Sequence, residues 1–436
     1  MTRPWLAAVV AIVMATTLAG ALLLTVKAAS LAGPVERPEI SVPPEPTPTA
    51  ASPQPSPTPS PSVEEGGPPA NTVHVEDRYR ARYAATYAGW DELIANGTKL
   101  PTTSKRCRAD WKVTTRDDGL NWDKAGYLCL SQLGGKGFKP QGVGGSGTAQ
   151  GYRIGTVAAG DRNLVIVSSY SAKPQPSLLF PHQPGTTETT RLTVIDLDQR
   201  RYNTVELVRP TAAGTFTALD SHGSGMVWVG QYLYSSSRGS LWLYNADDLM
   251  VIKGRYVLPA VARWSVGGTG GLSSLGVDRT TKTTRLVGIT YSETGTAWSH
   301  RLTLDKTGLV QQNATKAQQQ LTLVRDYGPV ATAVRSTTAS VVPGTNYQGI
   351  GTVKGKGGRH YVIANSSSLM LDGRRHGDNV VIMKKNTMIA KFTMPKENIE
   401  SLYLDPRRER YVTITEHGRQ FLFWLPTDHL IERAER

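Results

Sequence analysis

The chain has 436 residues, 39% of them hydrophobic, and a formal net charge of +14. That is enough apolar material for a core, in two or three ordinary domains or one large all-β domain. Forty-three glycines and 27 prolines argue against long helices, and the basic charge points to polyanions such as nucleic acid, anionic headgroups or anionic cell-wall polymers as non-specific partners.

The charge lies in small knots rather than a stripe: Lys105, Arg106 and Arg108; Arg374 and Arg375; Lys384 and Lys385; Arg407, Arg408 and Arg410. Such knots read as solvated surface.

At the N-terminus, the run from Trp5 to Val26 (WLAAVVAIVMATTLAGALLLTV) carries no charge. As a helix it reaches roughly 30 Å, a bilayer's hydrocarbon thickness, and it exceeds the ~7–15 residues usual in a cleaved signal. An uncleaved signal anchor over residues 1–30 is therefore expected ahead of a signal peptide cut near Ala28 and Ala29. Arg3, before the run, favours a cytoplasmic N-terminus. The rest of the chain is then on the extracellular side of the membrane, or secreted.

Residues 31–71 form a linker that holds 13 of the 27 prolines between Pro34 and Pro69. With little to bury, it is expected to stay disordered as a semi-rigid polyproline II stalk, open to O-glycosylation.

A cap segment spans residues 72–137. In it Tyr79, Tyr83 and Tyr87, continued by Trp90 and Ile94, predict one amphipathic helix ending at Gly97. Cys107 and Cys129 are the only cysteines, both in the exported part, so one disulfide is expected.

From residue 138 to 430 a unit of short apolar runs cut by turn formers repeats. In one copy GMVWV, YLYSSS and SLWLYN follow one another, with Met250–Leu258 as an expected fourth strand. Others open KPQGVGG, GGLSSLGVD, YQGIGTV and ENIESLYLD, and comparable third-strand points fall at Ile195, Leu243, Leu304, Ile382 and Phe423. Repeated four-stranded antiparallel units predict an all-β fold, a β-propeller of five to seven blades. Further blades would have to fit between 144 and 225 or between 306 and 346. A β-sandwich, or two small β domains, is the competing architecture.

The phrases HGSGMVWVGQYLYSSSRGSLWLYN, GRYVLPAVARW, YQGIGTV and ENIESLYLDPRRERYVTITEHGRQFLFW resemble a group of uncharacterised exported propeller-like proteins of actinobacteria. The resemblance covers roughly residues 138–426. It implies a secreted propeller-like domain and brings no catalytic motif. A more distant likeness to NHL-type and gluconolactonase-like propellers carries no matching metal-binding set.

Motifs for chemistry are missing. Ser146 and Ser224 sit between glycines without a G-x-S-x-G elbow, and Glu416–His417 lacks H-E-x-x-H spacing. GTVKGKGG is no Walker loop. Asp117, Asp118 and Asp123, around Gly119, lack the Glu that completes a calcium loop. No cofactor and no metal are expected.

One constellation remains. The first strand of each propeller blade lines the central channel, and the repeat openings put Gln141, His222, Ser273 or Ser274, Gln348 and Glu400 at comparable points. Together they can bind a small polar ligand, or His222 and Glu400 can act as a base and its partner. Alternatively these groups only meet channel water and satisfy backbone. The expected function is an extracellular binding module of the cell envelope for an anionic or small polar ligand. The alternatives are a propeller hydrolase or lyase with a His/Glu site, and a structural surface protein. Nucleic acid is not expected outside the cell.

Overall fold

The repeated apolar runs become strands, and their pairing builds the molecule. The computed structural model describes residues 73–436, except 112–119, 134–136, 174, 176–177, 181–187, 238, 269–270, 294–295, 312–320, 328–332, 337 and 372. The expected anchor, the proline-rich stalk and the aspartates 117 and 118 lie outside the described residues. Among the described residues no helix is long and apolar enough to cross a membrane.

The described chain is mostly β, with a few short helices. After short edge strands at Thr86–Tyr87 and Thr98–Lys99 comes β1 (Gly126–Cys129). It is followed by β2 (Lys139–Gly145), β3 (Leu164–Ser171), β4 (Thr189–Asp196) and β5 (Arg201–Pro210), which pair in that order. Next are β6 (Gly225–Val229), β7 (Tyr232–Ser237), β8 (Ser240–Asn245) and the long β9 (Arg255–Gly268), again paired in order. A third set is β10 (Leu272–Asp278), β11 (Arg285–Thr290), β12 (Ala297–Thr303) and β13 (Thr338–Val342). A fourth is β14 (Tyr347–Lys354), β15 (His360–Ser366), β16 (Asn379–Lys384) and β17 (Thr387–Thr393). The last is β18 (Ile399–Asp405), β19 (Arg410–Thr415) and β20 (Phe421–Pro426), completed by β1.

The first strand of each set packs on the next: β2 on β6, β6 on β10, β10 on β14, β14 on β18, and β18 back on β2. This cyclic contact of inner strands makes the fold propeller-like. The approach is backbone to backbone, which is why the openings are rich in glycine. A Cβ on Gly225 would stand 2.4 Å from the Leu275 nitrogen, and one on Gly276 would stand 2.1 Å from the Ile350 carbonyl oxygen.

Three expectations change in detail. Met250–Leu258 is not one strand: Lys253 and Gly254 both have positive φ, 48° and 73°, and turn it into a hairpin between Met250–Ile252 and the start of β9. Residues 260–265 of β9 supply the fourth strand on β8, while Tyr256–Pro259 pair in parallel with β5. The expected helix over 79–97 breaks into α1 (Asp77–Arg82) and α2 (Trp90–Ala95). Between them Thr86–Tyr87 add to Met250–Val251 as an edge strand, and that pairing outweighs the helical spacing of the tyrosines. In the gap after 306, Leu321–Tyr327 extends the outer edge of β9 and Thr338–Val342 is β13, so among the described residues neither forms a further unit.

The cap segment is more than a cover. Trp90 packs on Trp228 with ring centroids 4.5 Å apart, and its Nε1 donates to the Ala246 carbonyl at 2.9 Å. Helix α3 (Lys105–Trp111) carries Cys107, which is disulfide-bonded to Cys129 of β1. The bond fastens the strand that completes the last set. Replacing Cys107 and Cys129 together with Ser is expected to lower stability by about 3 kcal/mol and to make residues near β1 the first cut in limited proteolysis. Gly276→Ala is expected to cost about 2–4 kcal/mol in urea unfolding, because the obstructing atom is backbone. Gly239→Ala, where nothing lies within 4 Å, serves as the control and should change stability by less than ~0.5 kcal/mol.

Candidate functional site

The inner strands share an irregularity at one end. Four of them carry one extra residue against their partner strand. In β2, Pro140 and Gly142 face Ser169 and Ser168, leaving Gln141 over. In β10 the extra residue is Ser273, and in β14 it is Gln348. In β18 it falls between Ile399 and Leu402, at Glu400 and Ser401. A β-bulge drops a residue from the ladder and re-aims its side chain. Before β6, His222 is held differently: its N–H donates to Ser237 Oγ at 3.0 Å.

Gln141, His222, Ser273, Gln348 and Glu400 all line one cavity of about 660 Å³. Ser274 does not. It is fully buried, with its Oγ 3.4 Å from Ser401 Oγ in β18. Ser273 reaches the cavity, but its hydroxyl lies 3.0 Å and 2.8 Å from the carbonyls of Ile289 and Tyr347 and is taken up by backbone. Gln141 is only 2% exposed, and its Nε2 has no hydrogen-bond partner.

His222 and Glu400 each hold a different carboxyl group. His222 Nδ1 is 2.9 Å from Glu188 Oε1, and its ring lies on Tyr170 with centroids 3.9 Å apart. Glu400 neighbours Glu416 at the end of the β18–β19 hairpin, and both line the cavity. Tyr170 links the two groups, because its hydroxyl donates to Glu416 Oε1 at 2.8 Å. The other Glu416 oxygen is 3.0 Å from His417 Nε2, and Lys139 Nζ stands 3.7 Å from Oε1. Burial, the neighbouring Glu416 charge and the charge of Asp378 hold the Glu400 carboxyl well above the usual carboxylate range. Burial first, then the bond to Glu416, also raises the Tyr170 hydroxyl well above a free phenol.

Tyr170, Glu188, Glu416 and Lys139 were not among the residues picked from the sequence. A signal for three of them exists. In an antiparallel pair the end of the second strand lies beside the start of the first, so Tyr170, closing β3 opposite Lys139, shares the mouth with the β2 bulge. Glu416 and Tyr291 follow directly on β19 and β11 and line the same cavity.

A larger cavity of about 1210 Å³ shares His417. Several of its charges are already committed: Arg419 pairs with Asp110, and Asp378 accepts the N–H groups of Ser368 and Ile399 at 3.0 and 2.9 Å. The basic knot at 407–410 is spent as well, with Arg407 on Asp161, Arg408 on the Gly160 and Asp161 carbonyls, and Arg410 on Asn163 and Asp405.

No family model and no curated protein matches the chain. A solved structure of hydrazine synthase from Kuenenia stuttgartiensis is similar over 64% of this chain and 77% of that one, at 11% identity and a TM-score of 0.29. That likeness is too low to transfer anything.

The raised Glu400 carboxyl has a consequence for stability. Above pH ~4.5 the unfolded chain ionises Glu400 while the folded chain keeps it protonated, so the folded state loses ground as pH rises toward the native pKa. Glu400→Gln, a neutral isostere, escapes that loss. Its melting temperature is expected to match the wild type near pH 4.5 and to exceed it at neutral pH. Equal pH profiles for the two proteins would show that Glu400 is ionised in the fold.

Proposed function

We propose that this chain is an extracellular binding module of the cell envelope. It is a five-bladed β-propeller, held by an N-terminal signal anchor and raised on a proline-rich stalk. The cyclic contact of β2, β6, β10, β14 and β18 supports the count of five. The 36 residues from Pro34 to Pro69 would reach roughly 110 Å as polyproline II.

The ligand is small and polar, and it enters the cavity at the bulged ends of the inner strands. One observation carries this reading: separate bulges turn Gln141, Ser273, Gln348 and Glu400 toward one cavity, and the buried Gln141 amide is left with an unused donor. Spending four ladder irregularities on one opening is costly unless something is held there, and a buried amide without a partner costs about 1–3 kcal/mol. The size suits a monosaccharide-scale ligand.

A small polar ligand is favoured over an anionic polymer. Glu293, Glu400 and Glu416 line the mouth, and the most concentrated basic knot is engaged within the chain. A hydrolase or lyase using His222 with Glu400 is disfavoured, because each is paired elsewhere.

Saturation-transfer NMR with glucose and with sorbitol tests the reading. Transfer to at least one of them is expected with the wild type. It should fall severalfold in Gln141→Leu, which keeps the volume and removes the amide. Absence of transfer from both, or transfer unchanged in the variant, overturns the site.

A further inference from the structure

We propose that the mouth selects ligands bearing a primary ammonium group, seated between the paired carboxyls of Glu400 and Glu416 and the ring of Tyr170. The inference rests on the reading of this cavity as a ligand site and adds the chemical class of what enters it.

Two neighbouring carboxyl groups that line one cavity with little access to water are hard to keep both ionised without a cation between or beside them. Glu400 and Glu416 are 4% and 8% exposed. Tyr170 of β3 donates to Glu416, His417 sits on its other oxygen, and Asp378, before β16, adds negative charge. Beyond Tyr170, the His222 ring is already matched by Glu188, and at the rim Glu293 lies beside Tyr291. The cavity lining thus carries three carboxyl groups against one lysine and two histidines, one of which is matched by Glu188.

The chain supplies its own partial stand-in. Lys139 Nζ lies 5.8 Å from the Tyr170 ring centroid and 3.7 Å from Glu416 Oε1. An ammonium over an aromatic face beside a carboxylate is the arrangement that recognises amines. At 3.7 Å this is a salt bridge, but the Lys139 side chain is 44% exposed, so the pair is loose and solvent-screened and open to displacement by an incoming ammonium. The Gln141 amide, 2% exposed and unpartnered at Nε2, offers the remaining polar contact for the ligand's hydroxyl-bearing part.

An incoming ammonium replaces the Glu400 proton, so binding releases a proton and strengthens as pH rises from about 5 to 8, where an alkylamine remains charged. Glucamine and sorbitol test this, because they differ by an ammonium in place of one hydroxyl. Calorimetry on the full chain, in two buffers of different ionisation enthalpy, is expected to show glucamine bound about tenfold tighter than sorbitol or better, with net proton release. Glu416→Gln should remove the preference. Lys139→Ala, a half-exposed position, should tighten glucamine severalfold by removing the internal competitor.

If sorbitol binds as well as glucamine, or if glucamine binds without releasing a proton, the ammonium seat is wrong while the cavity remains a ligand site. Failure of both probes, together with absence of transfer from glucose, overturns both readings. Weaker glucamine binding in Lys139→Ala would make Lys139 part of the site and overturn its role as competitor.

Discussion

The structure depends on how closely the inner strands approach one another. Where Gly225 meets Leu275 and Gly276 meets Ile350, no room is left for a Cβ, so main chain packs on main chain from one sheet to the next. That spacing lets β18 return to β2 and close the cycle. Closure protects strand edges that would otherwise be open to foreign pairing. It also brings together residues as far apart in sequence as Gln141 and Glu400. The last set has only three strands of its own and borrows β1 from the N-terminal segment, where the disulfide to α3 fastens it. The segment before the first set is thereby tied into the same sheet as the last set.

The mouth follows from the same construction. Inner strands held this tightly have little freedom along most of their length, and they depart from regular pairing at one end. There the bulges turn polar side chains into a common space. The adjoining ends of the second strands add Tyr170, and Glu416 just beyond β19. The resulting chain of contacts runs from Glu188 through His222, Tyr170 and Glu416 to Glu400, and it draws on three of the strand sets. It concentrates carboxyl groups on a molecule whose net charge is strongly positive. Global charge is therefore a poor guide to what this opening accepts, because Coulomb interactions at a few ångströms outweigh the screened field of distant lysines and arginines.

Much of the architecture was legible from residue order. Short apolar runs cut by turn formers mark the strands, and the recurrence of a Gly-bearing opening marks the inner position, because only glycine tolerates the approach made there. Five of the six polar residues at those openings line one cavity. Ser274 does not, since a one-residue difference in a strand reverses the face. The helix expected across Tyr79, Tyr83 and Tyr87 was lost to a contact invisible locally, the pairing of Thr86–Tyr87 with Val251 and Met250. The strand expected over Met250–Leu258 failed at Lys253–Gly254, where a two-residue turn needs no more than one glycine as its cue.

The sequence by itself determined the β character, the repeat, the cysteine pair and the places where polar residues interrupt the strands, because these depend on local propensity, spacing and composition. Tertiary structure alone decided that His222 takes Glu188 as its partner and how deeply Glu400 is buried. Glu400 meets Glu416 across the β18–β19 hairpin, whereas His222 and Glu188 come from neighbouring sets. The energetics of ionising a buried carboxyl group depend on neighbours a few ångströms away in space, whatever their distance along the chain.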